Sequence, residues 1–285
     1  MPATLCYGCE VWGLHGITAK ANKARSEVSA RYNMRIRQIC GIRNSIAANV
    51  YLHELDVKPL EHRWWQQTLG FWARIQAAPH GNFYKQLLLD NLNDALVHKI
   101  RNFSWSVLRK LRELGIQVDT ACGTVPVIET TAVMEALDSK LAAYWEGTHH
   151  TPHTSPSVGV KKCTYLQWFF RPDGYASYKH YKHMSLPGEQ LRQLIRFRVG
   201  SHDLPIEKGR RQNIARQDRL CVKCDLHAVC DEHHVVFECP HVEVLRQQFA
   251  ELFTDDTRDM QSFMWQSEQR TLAKFLVKVL KEYAA

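Results

Sequence analysis

Between Arg219 and Pro240 the chain reads RLCVKCDLHAVCDEHHVVFECP, which spaces Cys221, Cys224, His234 and Cys239 as C-x2-C-x9-H-x4-C. Three thiols and one imidazole are the donor set of a closed tetrahedral zinc site. The two-residue gap lets a tight turn aim both sulfurs at one ion. The four-residue gap suits a short turn or one helical turn. Zinc deprotonates the thiols it binds, and such binding stabilises a module of this size by roughly 10–16 kcal/mol near neutral pH.

Four other side chains compete for the fourth ligand position: His227, Cys230, His233 and His241 are all close in sequence. His234 is preferred because it leaves His233 free to face solvent and gives the shorter second gap. A second CxxC, Cys6 and Cys9, has no matching pair nearby, so the cysteine arithmetic singles out the later cluster.

Composition narrows the setting. Apolar residues make up 45% of the 285, enough for real cores and too many for a disordered chain. A net charge of +8 suggests an anionic partner, most often nucleic acid. Nine cysteines, an odd number spread along the chain, do not resemble a secreted disulfide framework. A reducing, intracellular location fits better, nuclear or cytoplasmic. The N-terminus, MPATLCYGCEVWG, has no basic leader and no long apolar run, so neither a signal peptide nor a membrane partner is expected.

The hydrophobic periodicity is helical through most of the chain and predicts a mainly α protein. Three segments are expected: a helical region over 1–146, a polar linker over 147–160 (GTHHTPHTSPSVG and its flank), and a basic helical segment over 161–285 that carries the zinc module at about 219–241. The first helix runs from Lys20 to a stop at Gly41. Ser45 is placed to cap a short helix through Leu55, and Pro59 suits the first turn of the next. That helix carries Leu60, Trp64, Leu69 and Trp72 at core spacing. Asn82 and Ser104 look like N-caps, and a short strand is expected between Ile116 and Val127. Tyr165, Trp168 and Phe169 lie in an aromatic, basic run read as a small aromatic core with snorkelling lysines rather than a base-stacking platform. Val242 to Phe253 and Ser267 to Tyr283 read as amphipathic helices.

No Walker loop, GxSxG, HExxH or GxGxxG occurs. Asp255-Asp256 is the one Asp-Asp pair, and without a strand pattern around it it reads as a solvated loop rather than a two-metal centre. No catalytic residue is therefore assigned.

Several stretches in order resemble the C-terminal portion, thumb plus zinc knuckle, of the reverse transcriptase of non-LTR (LINE-like) retrotransposons. LCYGCEVWG at Leu5–Gly13 resembles the LYGxEVWG segment that follows the polymerase palm. ICGIRNSIAANVYLHELDVKPL matches that family's pattern at Gly41, Asn49, Glu54, Leu55, Pro59 and Leu60. RFRVGSHDLPIEKGRRQNIARQDR resembles its basic lead, and CVKC with DEHHVVFECP resembles its knuckle, with His234 as ligand. The chain departs from the pattern at Asp56, Arg211 and Cys230. The resemblance implies zinc-dependent binding of RNA or target DNA, and a polymerase palm as partner in cis or in trans. The palm's Tyr/Phe-x-Asp-Asp hairpin is not among these residues, so catalysis is not carried over. Arg210, Arg211, Arg216 and Arg219 are the expected phosphate contacts beside the knuckle, with Arg192, Arg196 and Arg198 on the flanking helix. A set of that size implies steep salt dependence and little sequence reading. The alternative function is an element remnant whose knuckle only stabilises the fold or mediates protein contact.

Overall fold

A computed structural model describes residues 22–119, 127–150, 165, 167–169 and 186–284. Among them the chain is mainly helical: α1 Asn22–Cys40, α2 Ala48–Glu54, α3 Leu60–Gln76, α4 Phe83–Leu96, α5 Phe103–Glu113, α6 Thr130–His150, α7 Gly188–Arg198, α8 Pro205–Arg211, α9 Glu243–Gln248, α10 Met260–Trp265 and α11 Gln269–Glu282. Among the described residues there is no strand, only an antiparallel bridge between Leu220 and Val229. No described helix is long and apolar enough to cross a membrane.

The chain divides into two compact units, one of residues 1–33 and 58–148, the other of 34–57 and 149–285. The break at 148 lies at the start of the expected linker. α6 carries the helix through His150, and 151–160 lies outside the described residues. No loop composition marks the break at 33, because α1 runs through it without interruption. The segments Leu5–Gly13 and Cys6/Cys9 also lie outside the described residues.

In the first unit the predicted stripe of Leu60, Trp64, Leu69 and Trp72 is buried, and Trp65, outside that stripe, joins Leu69 and Trp72 in the core. Trp65, Leu69 and Trp72 of α3 pack with Leu88 and Leu92 of α4, Val107 and Leu111 of α5, and Val133 and Leu137 of α6. Trp72 also stacks on Phe103, with ring centroids 6.0 Å apart. Polar bonds fix the helix starts. Asn82 accepts from the backbone N–H groups of Tyr84 and Lys85, as its sequence position predicts. Ser104 does not cap α5. Asn102 does, by accepting from Trp105 N–H, and Ser104 is buried in the first turn. Its own backbone N–H donates to Asn91 of α4. Ser45 likewise gives way to Ala47, which starts α2 without a side-chain cap. The four residues Ile116–Asp119 form no strand, and the rest of that expectation falls on 120–126, outside the described residues.

In the second unit α7 packs against α11, each offering an apolar stripe: Leu194 and Ile195 on one, Leu272, Phe275, Leu276 and Val279 on the other. Phe249, Phe253 and Phe263 meet Phe275 edge-to-face in a cluster beside them, with Phe253 tilted on Phe263. The helix expected over Val242–Phe253 is broken instead, with α9 giving way to a 3-10 turn at Ala250–Leu252. Tyr165 and Phe169 are buried, which bears out the aromatic-core reading for those two positions.

Beneath α7 lies a buried polar chain. Arg198 Nε forms an ion pair with Glu54 Oε1 at 2.8 Å, and Tyr165 donates to Glu54 Oε2 at 2.9 Å. With the tyrosine proton committed to Glu54, His53 Nδ1, 2.9 Å from the Tyr165 oxygen, must carry a proton and donate. Burial pushes the His53 pKa down to about 4. A histidine held neutral while the unfolded one titrates near 6.5 makes the unfolded state bind more protons between those values. Its contribution is therefore complete above pH 6.5 and is lost as pH falls towards 4. The full span amounts to about 3 kcal/mol. Unfolding free energies of wild type and His53→Gln, measured from pH 7.5 to 4.5, should diverge in slope across this window. Parallel curves would remove His53 as the cause.

Candidate metal centre

Local folding accounts for each ligand. After α8 a 3-10 turn, Arg216–Asp218, leads into a short hairpin-like loop. Cys221 N–H donates to Ala228 O and Cys230 N–H to Arg219 O, both at 2.9 Å. These bonds, with His227 at φ +50, turn the chain tightly enough to bring Cys221 and Cys224 together. The other half is a single π-turn, His234–Glu238. Cys239 N–H reaches back to His234 O at 2.8 Å, so the four-residue gap is spanned by one wide turn that puts both side chains on the same side. Asp231 accepts from His234 N–H at 3.0 Å and fixes where that turn begins.

The result is a cluster in which one donor atom from each of Cys221, Cys224, His234 and Cys239 lies within 4.8 Å of the others. Cys221 and Cys239 sulfurs are 3.8 Å apart, and Cys224 sulfur is 3.5 Å from His234 Nε2. The four can bind a metal ion. His234 Nδ1 faces Glu238 Oε2 at 3.2 Å, so the carboxylate holds a proton on Nδ1 and leaves Nε2 as the donor. This is the arrangement metal-bound imidazoles adopt, and it selects His234 over its competitors. His233 is directed instead towards Trp168 and Phe237. Cys230 is buried beside the cluster without joining the four.

The electrostatics favour a cation. Burial raises the Cys221 pKa, but the hydrogen bond from Lys223 N–H and the polar groups of Tyr283 and His234 beside it outweigh it and bring the thiol down to about 6. Burial and the neighbouring sulfurs hold Cys224 up at about 11, and burial and Cys221 push Cys230 up. Once one thiol ionises, the others resist, because like charges this close repel. A bound cation removes that conflict.

The arginines fare differently. Arg198 is 1% exposed, held by Glu54 and lying 4.0 Å from the Trp265 ring centroid. It belongs to the core, so the expectation that it contacts phosphate is corrected. Arg219 is also buried. Its guanidinium donates to the Ile206 and Ile214 carbonyls, and its stem lies across Gly209, where an added Cβ would come within 2.6 Å of it. It is a brace for the loop that carries Cys221, and not a surface charge. Arg210 pairs with Glu207, Arg211 with Asp203 at 3.1 Å, and Arg196 with the Ser201 carbonyl at 3.1 Å. Arg192 and Arg216 keep about half their side-chain surface in solvent, although Arg216 also meets Asp231 at 2.8 Å. The basic lead is thus largely an internal network. Charge counting could not reveal that for Arg198 and Arg211, whose partners Glu54 and Asp203 lie outside their own helices, although Glu207 pairs locally with Arg210 within α8.

Asp255-Asp256 forms a 3-10 turn, and Asp259, not the pair, caps α10 through Ser262 N–H. The Cys and His spacing gives no sign of Tyr283. It lies 44 residues from Cys239, and its hydroxyl comes within 2.9 Å of that sulfur. No protein-family model, curated protein or solved structure matches the chain.

Proposed function

We propose that the chain is a zinc-stapled helical module that binds nucleic acid, of the kind that follows the polymerase palm in non-LTR retrotransposon reverse transcriptases. The observation that carries it is the cluster of three sulfurs and one nitrogen. Zinc–sulfur bonds of about 2.3 Å and zinc–nitrogen bonds of about 2.05 Å at tetrahedral angles require edges of roughly 3.8 and 3.6 Å. The cluster has 3.8 Å between Cys221 and Cys239 and 3.5 Å between Cys224 and His234. Three thiolates favour a soft or borderline ion, and a closed four-coordinate site suits a structural rather than a catalytic role.

The order of the motifs supports the family reading. So does Asp56, which stands where that pattern has glycine and takes φ +48, a conformation glycine adopts freely. The net charge of +8 and the solvated Arg192 and Arg216 support an anionic partner, RNA or target DNA. The internal employment of Arg196, Arg198, Arg210, Arg211 and Arg219 favours a second reading, in which the knuckle serves only to hold the second unit together.

Binding of labelled single- and double-stranded RNA and DNA, measured by fluorescence anisotropy across a salt series, separates the two. Seven phosphate contacts would give a log–log salt slope of about −5 to −6, whereas two give about −1.5 to −2. Binding with the shallow slope is the expected result. No binding by the zinc-loaded protein would leave the staple reading alone.

A further inference from the structure

The hydroxyl of Tyr283 lies 2.9 Å from the Cys239 sulfur and 3.7 Å from the Cys221 sulfur. Its one proton is directed at the nearer atom, Cys239. The residue is buried at the C-terminal end of α11. Its ring meets His241 edge-on, and His241 in turn meets the Glu282 carboxylate at 3.3 Å. α11 is held in the unit by Leu272, Phe275, Leu276 and Val279, all buried. A helix anchored by apolar packing therefore delivers a hydroxyl to the sulfurs, independently of the two turns that carry the ligands.

We propose that Tyr283 is a positioning residue of the metal centre: its hydroxyl hydrogen-bonds the metal-bound Cys239 thiolate and sets the affinity and electronic character of the site. This rests on the metal reading above and extends it to a residue that the cysteine–histidine spacing does not contain. Three thiolates, one neutral imidazole and a divalent cation leave the centre with one net negative charge in a largely buried setting. A sulfur lone pair not used by the metal is where that charge resides. An O–H donor aimed at it stabilises the charge and lowers the energy of the lone pair. The hydroxyl itself transfers no proton and makes no bond to the metal.

The test uses the full chain and cobalt(II), which reports thiolate coordination by its absorption. Wild type and Tyr283→Phe are titrated with Co2+, then with Zn2+ in competition. Loss of an outer-shell hydrogen bond is expected to weaken binding by about 10-fold. The sulfur-to-cobalt charge-transfer band should move to longer wavelength, because the freed lone pair rises in energy. The ligand-field bands of a tetrahedral site should persist. The metal-free variant should melt close to metal-free wild type. An unchanged band and affinity would overturn the proposal. So would a loss of stability that is as large without metal as with it, since that would make Tyr283 a packing residue only. If wild type takes up neither ion, the metal reading itself fails; if wild type binds and the variant is indistinguishable from it, only the role of Tyr283 fails.

Discussion

Cys239→Ser is expected to weaken zinc binding by a factor of several hundred and to melt the second unit at a lower temperature. Cys239 is fully buried, immediately follows the π-turn, and accepts the Tyr283 hydrogen bond. Roughly 10–16 kcal/mol of metal binding shared over four ligands assigns each about 2.5–4 kcal/mol, or roughly 10²–10³ in affinity. Serine keeps the shape but offers an alcohol that zinc at neutral pH does not readily deprotonate. Chelator competition measures the affinity, and thermal unfolding with and without chelator measures the linked stability. Cys230→Ala provides the contrast. That thiol is next to the cluster but outside it, so the variant should retain its metal, whatever packing it loses. Equal metal loss in both variants would mean that the ligand set is wrong.

Arg198→Ala is expected to destabilise the protein by about 3–5 kcal/mol, because it leaves the Glu54 carboxylate buried without its cation. Glu54→Ala should cost a similar amount from the other side. Replacing both together, Glu54→Leu with Arg198→Met, should recover most of the loss, since the desolvation cost of the pair disappears with it. Chemical denaturation of the four proteins compares the cost of breaking the pair with the cost of replacing it. The result also bears on function. A surface phosphate contact could be removed with little change in stability and a loss of affinity, whereas Arg198 should show a loss of stability first. Denaturation midpoints that match wild type would return Arg198 to the surface.

Local signals are legible in the sequence wherever one element is sufficient to set the outcome. The Cys and His spacing picks out four side chains that the structure brings together, because each half of the cluster is made by one turn. Leu69 and Trp72 are recognisable as first-unit core because helical spacing places them, with Trp65, on one side of α3. Asn82 is recognisable as a cap because it bonds within its own first turn. The failures lie where tertiary structure decides. Arg198 and Arg219 read as solvated cations because their partners, Glu54 and the Ile206 and Ile214 carbonyls, come from other segments. Ile39 stands two helical turns after the buried Tyr32 of α1, yet it is exposed near the end of that helix. Ser104 has the chemistry of a cap, but Asn102 reaches Trp105 N–H first and Asn91 claims the serine backbone. Tyr283 carries no local sign at all. Only the packing of α11 brings its hydroxyl to the sulfurs.

The most direct test of the metal centre is the metal content of the purified chain, read by elemental analysis together with X-ray absorption at the zinc edge. One zinc per chain, with a shell of three sulfurs near about 2.3 Å and one nitrogen near about 2.0 Å, is the predicted result. A chain that folds without metal, and takes none up when zinc is supplied under reducing conditions, would contradict it.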